Sequence, residues 1–240
     1  MTVFTFHLAK TKIRTTAGAL CCSPSGQQIS GLIHAECMAK MTLGAPILSP
    51  ARMQLHHLAM FAAWDSNAAI DDFLGGAKLG RELATGWHVR MAFQRRWGQV
   101  SEFGGLAECV GEQDPAAPVV AVTLARLKLL QVPRFIRWGK PVEELVRDHP
   151  GTTLAIAAMR LPRTVSTFTV WNSLQEMGDM VHGQSRVPRP ARHADAMVER
   201  QRKDFHSEFT TLRFRPTAEY GEWEGRTPII PSISGEPSVA

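Results

Sequence analysis

No run within the 240 residues approaches the ~18 consecutive apolar positions of a membrane-spanning helix. There are only four cysteines, and none forms a C-x-x-C pair: Cys21 and Cys22 are adjacent, while Cys37 and Cys109 stand alone. That excludes a disulfide scaffold and a zinc finger, and leaves inert thiols in a reducing compartment as the expectation. G-x-G-x-x-G, Walker A, H-E-x-x-H and G-x-S-x-G are all missing, so the common nucleotide, zinc-protease and hydrolase signatures do not apply. Charged residues are 20% and hydrophobic residues 44%, which excludes a disordered chain. Met1–His7 reads as a strand without a charged segment leading into an apolar run, so no secretory signal is expected and the expected location is cytoplasmic.

Positive charge is present in modest surplus, 27 Lys and Arg against 22 Asp and Glu. It concentrates twice: Arg90, Arg95 and Arg96 fall in a segment read as helix, and Arg186, Arg189 and Arg192 in a proline-rich loop without an acid. No nucleic-acid motif surrounds either cluster, so a solvated face is expected and no nucleic-acid partner. No stable membrane insertion is expected either.

The chain reads as one unit written twice. Phe61–Gly76 lies over Phe168–Gly183 without a gap, with Phe, Trp (Trp64, Trp171), Ser, Asp (Asp72, Asp179) and Gly coinciding. Upstream, Leu8-Ala9-Lys10-Thr11-Lys12 matches Leu124-Ala125-Arg126-Leu127-Lys128. Downstream, His88 and His193 are each read as opening a helical stretch. The repeat divides the chain into residues 1–110, residues 118–223 and a proline-rich tail, 224–240, expected to be too poor in packing residues for a core.

Each half begins with an apolar strand, 3–10 or 119–127. A variable region follows, with a helix over 132–148 in the second half. Two strands come next, 31–40 and 54–64, or 153–159 and 164–171. Ser66 and Ser173 then stand as N-caps of a helix. A further helix carries Val89, Phe93 and Trp97, or Ala194, Met197, Val198 and Phe205, and a last strand covers 209–216. Strand–helix–strand–strand–helix–strand is the ferredoxin-like unit. The fold class is therefore α+β: a tandem duplication of ferredoxin-like βαββαβ units closing a dimeric-type α+β barrel.

Leu124-Ala125-Arg126, Arg134-Phe135, Pro150-Gly151, Thr167–Trp171, Leu212–Thr217 and Gly221–Gly225 follow the order seen in the spheroidene monooxygenase-like proteins. Over 119–225 the chain resembles that family, within the dimeric α+β barrel superfamily. The resemblance implies oxygenation of an apolar small molecule with haem as cofactor. It also implies an axial histidine near the start of the unit's last helix, which falls on His193, with His88 as its repeat equivalent; His182, on the other helix beside Gly183, is a further candidate by position alone.

A haem requires an axial ligand, an apolar slot and positive charge for its propionates. His193 is the metal-ligand candidate; Met197 would border the cofactor, and Arg186, Arg189 and Arg192 would pair with its acidic edge. The barrel interior is expected to hold the ligand. Arg126, at the end of an opening strand, is the catalytic candidate, because an inward arginine would imply a carboxylate or an anionic ligand. An outward, snorkelling Arg126 is the alternative. Trp64 and Trp171 read as core anchors, one of His56 and His57 as inward-facing, His149 as a turn residue and His206 as exposed. The first functional expectation is a haem-dependent monooxygenase-like enzyme with a small apolar substrate and no nucleic-acid partner, and a homodimer is one expected assembly. A non-catalytic haem or apolar-metabolite binder, a haem-dependent dehydratase or isomerase, and a cofactorless oxygenase stand beside it.

Overall fold

The structure is a computed structural model that describes residues 2–46, 49 and 52–231. Eight antiparallel strands form a closed barrel in the order β1-β3-β2-β6-β7-β5-β8-β4. The first half contributes β1 (Val3–Lys10), α1 (Ile13–Cys21), β2 (Leu32–Met41), β3 (Gln54–Trp64), α2 (Asn67–Gly76), α3 (Lys78–Ala84) and β4 (Trp87–Gln99). The second contributes β5 (Val119–Leu127), α4 (Val132–Asp148), β6 (Thr152–Arg160), β7 (Thr164–Trp171), α5 (Leu174–His182), α6 (Arg192–Arg202) and β8 (His206–Tyr220). This is the expected duplicated ferredoxin-like barrel.

The register makes the repeat exact in space. Val3 pairs with Trp64 as Val119 pairs with Trp171. Phe4 faces Met91 as Val120 faces Phe214. Equivalent strands also meet at both seams between the halves, β2 with β6 and β4 with β8. Trp64 and Trp171 anchor the two helix-to-sheet layers, and each indole N–H donates to a neighbouring threonine hydroxyl, Thr5 or Thr169, at 2.9 Å. Ser66 and Ser173 cap α2 and α5 by accepting from the N–H groups of Ala69 and Glu176. Gly183, at φ 73°, ends α5 in the left-handed conformation that releases the chain into the proline-rich loop.

Several expectations change. The stretch from Trp87 to Gln99 is strand, so Arg90, Arg95 and Arg96 are not helical and His88 is not the counterpart of His193. The helices that precede the last strands are α3 and α6. The barrel interior is filled: Phe4, Phe6, Phe61, Trp87, Phe168 and Phe214 are among the side chains packed there, so it is not the ligand chamber. Val198 is exposed rather than sharing the inner face of α6, and Phe205 lies beyond the helix. β8 runs from His206 to Tyr220, longer than expected, and His206 is buried.

The described part of the tail, 224–231, also differs from expectation. Ile229 is only 2% exposed and joins the interior core beside Trp223. The N–H groups of Ile229 and Ile230 donate to the Glu219 carboxylate at 2.7 and 3.0 Å. Residues 232–240 lie outside the described residues.

Candidate functional site

The repeat lets the outer faces of the two half-sheets be compared position by position. In the first half that face presents Thr5, His7 and Ala9 on β1, all buried beneath the helix layer. In the second half, of the counterparts Ala121, Thr123 and Ala125, the first two are half-buried and the third is buried, and Ala155, Thr167 and Thr211 are half-buried too. The helices explain the difference. α3 packs on β1 and β4, whereas α6 packs on α4 and α5. Side chains differ too: His7 and His88 stack with ring centroids 4.9 Å apart, where the second half has Thr123 and Thr211, their hydroxyls 3.2 Å apart. Two imidazoles fill this position in the first half; two less deeply buried threonines occupy it in the second.

His193 stands at the start of α6, against the end of α5. Its Nδ1 lies 3.0 Å from the Val181 carbonyl oxygen at the end of α5. That contact requires the Nδ1–H tautomer and leaves Nε2 as the lone-pair nitrogen, with no hydrogen-bond partner among the described residues. Burial lowers its pKa from the ordinary histidine value, against the raising effect of the Val181 hydrogen bond. A neutral, oriented imidazole with an available Nε2 is the form that binds a metal. His182 is exposed, with Nδ1 on the Gly178 carbonyl at 2.7 Å. His88 belongs to the sealed slot of the first half.

The loop arginines divide. Arg186 and Arg189 are exposed. Arg192 is tied to α4, donating to the Pro141 carbonyl at 3.4 Å and lying 3.8 Å from Glu144. Met197 is half-buried and borders a shallow depression with Arg200, Gln201 and Asp204.

Sequence reasoning missed Arg213. It is the repeat counterpart of Arg90 and points outward from β8, opposite Ala121 on β5. Arg90 has a carboxylate partner, Asp71. Arg213 has none among the described residues: one nitrogen donates to the Gln113 side chain at 2.7 Å, and its buried Nε is unpartnered. Its guanidinium lies 4.6 Å from the centroid of the Trp97 ring. Burial, then the neighbouring Arg95, lower its pKa to about 10. A buried cation without a counter-charge favours an anionic ligand group at this face. The only sequence signal was its place in the run Leu212-Arg213-Phe214, which alternates as a strand.

Arg126 does point inward, and the anion it implies is supplied by the protein. It pairs with Glu36 and, at 3.0 Å, with Glu102. Glu36 is almost fully buried and also receives Arg160 at 2.6 Å and His34 at 3.3 Å. Burial works to raise the Glu36 pKa, but the His34 hydrogen bond and the two arginines hold it low. These charges close one mouth of the barrel, where Phe103 is inserted against Phe4 and Phe61. His34, Glu36 and Glu102 bring three ligand-type atoms together, but two guanidiniums already neutralise their charge.

No protein-family model matches the chain. Spheroidene monooxygenase of Rubrivivax gelatinosus is 28% identical over 176 residues, 70% of this chain and 63% of that protein. Spheroidene monooxygenase of Rhodobacter capsulatus is 26% identical over 138 residues, 57% of this chain and 54% of that protein. The chain thus spans less than two thirds of the length of these relatives. Among solved structures, an aldoxime dehydratase in complex with butyraldoxime superposes with a TM-score of 0.50 at 9% identity, covering 91% of this chain and 81% of that one. By sequence the chain resembles the spheroidene monooxygenases, and by fold it is a dimeric-type α+β barrel with both ferredoxin-like halves in one polypeptide.

Proposed function

We propose that this protein is a monooxygenase-like enzyme that binds haem between α4–α6 and the second half-sheet and acts there on an apolar small molecule. The observation that carries the reading is His193, its Nδ1 held by Val181 and its Nε2 unpartnered among the described residues, in the half whose outer sheet face is the less deeply buried. The residues present suit a flat apolar group with an acidic edge. Ala121, Thr123, Ala155, Thr167 and Thr211 are small and half-buried, Trp138 and Val142 of α4 are half-buried, and Arg213 lacks a counter-charge among the described residues.

His193 would hold the iron through Nε2, its ring orientation fixed by the Val181 carbonyl. Arg213 would meet a carboxylate at the slot's edge, with Arg186 and Arg189 available from the loop. Bound haem supplies oxygen activation, and the task of the chain is to orient the substrate and exclude water. Arg126, the catalytic candidate from the sequence, would instead serve the barrel, closing its mouth through the pairs with Glu36 and Glu102.

Hemin titration followed by the Soret band tests this. The wild-type protein takes up hemin, His193→Ala weakens uptake by about 10–100-fold, and His88→Ala does not. Arg213→Leu weakens uptake without abolishing it. A protein that remains colourless with hemin overturns the reading, and a Soret band that survives His193→Ala moves the ligand elsewhere. Oxygen consumption with a reductant and an apolar substrate then separates an enzyme from a carrier.

A further inference from the structure

One end of the barrel carries large apolar side chains that nothing in the described chain covers. The 3-10 turn Leu129–Gln131, between β5 and α4, buries none of its residues. Leu129 is 57% exposed and Leu130 94%. The N–H of Leu127 donates to the Arg163 carbonyl at 2.8 Å, which sets the β6–β7 turn beside this segment. Leu161 of that turn is 62% exposed. A single exposed leucine needs no explanation, but three from two adjoining loops form a protruding patch.

The charges around the patch that lack an opposite partner are of one sign. Lys128, Arg137, Arg163 and Lys203 are exposed and have no acidic partner among the described residues. They belong to one surface, because the Lys128 N–H donates to the Phe205 carbonyl at 2.8 Å and Arg134 donates to the Lys203 carbonyl at 3.0 Å. Nearby acids are already engaged: Glu199 with Arg134 and Arg202, and Asp204 with Arg200 and His206. Leucines ringed by unpaired cations match the boundary of an anionic bilayer, where acyl chains accept the former and phosphates the latter.

The geometry points to this end of the barrel as a docking surface for an anionic phospholipid bilayer. The contact is peripheral, since no helix among the described residues is long and apolar enough to cross a membrane. It stands independently of the haem reading, using no residue of the slot.

Flotation of the full chain with vesicles tests it. The protein floats with phosphatidylglycerol–phosphatidylcholine vesicles, and much less with phosphatidylcholine alone. Leu129→Ser with Leu130→Ser lowers partitioning by about tenfold or more at an unchanged melting temperature. Lys128→Glu with Arg163→Glu removes the preference for anionic vesicles, as does high salt. Absence of flotation at low salt, or flotation indifferent to both variant pairs, overturns the proposal. So does a wild-type dimer that the leucine pair converts to monomer without any vesicle binding, because a second copy then covers the patch.

Discussion

His7 and His88 bury four ring nitrogens without a hydrogen-bond partner, and that arrangement has a pH signature. Burial, and then the nearby Arg90 charge, lower the His88 pKa to about 4; burial, His88 and Arg90 push His7 well down. Unfolding returns both to the ordinary value of 6.5. Below that value the unfolded chain takes up protons that the folded one refuses, so stability is full above pH 6.5 and declines as pH falls toward 4. The slope per histidine approaches about 1.4 kcal/mol per pH unit. Urea midpoints between pH 7 and pH 5 should show this decline, and His88→Thr, which installs the residue of its repeat counterpart Thr211, should reduce it. An unchanged slope would rule out His88 as its source. Arg126 was legible because a long cation at the end of an apolar strand demands an anion. Its partners Glu36 and Glu102 were not, since only barrel closure brings them together. Arg213 was hidden similarly: its missing carboxylate is visible only against Arg90 and Asp71.

β1, β5 and α4 were legible at their boundaries because apolar runs, proline and turn residues agree there. β4 was not, for a specific reason. Val89, Phe93 and Trp97 recur every four residues, a spacing that shares a face in a helix and in a strand alike. Trp87 and Met91, two positions away from Val89 and both buried, distinguish the two, and bulges after Arg90 and Phe93 interrupt the alternation further on. The tail was misjudged because composition counts residues rather than contacts. Ile229 is one side chain, yet it lies in the core beside Trp223 at one end of the barrel. Ile229→Ala should cost about 2–4 kcal/mol in denaturant unfolding. A cost below about 0.5 kcal/mol, ordinary for a surface position, would mean that the segment does not hold that end closed.

The halves share one interior, so neither has a complete core alone. Phe4, Phe61 and Trp87 from the first half meet Phe168 and Phe214 from the second across the barrel. Fragments 1–112 and 113–240 should therefore copurify when expressed together, while 113–240 alone should self-associate through its uncovered inner face. A stable monomer of that fragment, seen by light scattering, would contradict a shared core. The seams are unequal: β4 pairs with β8 from His88 to Gln99, whereas β2 meets β6 only over Ala39–Met41. The sealing of one slot by His7 and His88 has a further consequence. Two identical subunits would present equivalent clefts, both open or both shut. Joined in one polypeptide, the halves are free to differ, and a ligand held by the second half would bind with a stoichiometry of one per chain and a simple hyperbolic isotherm.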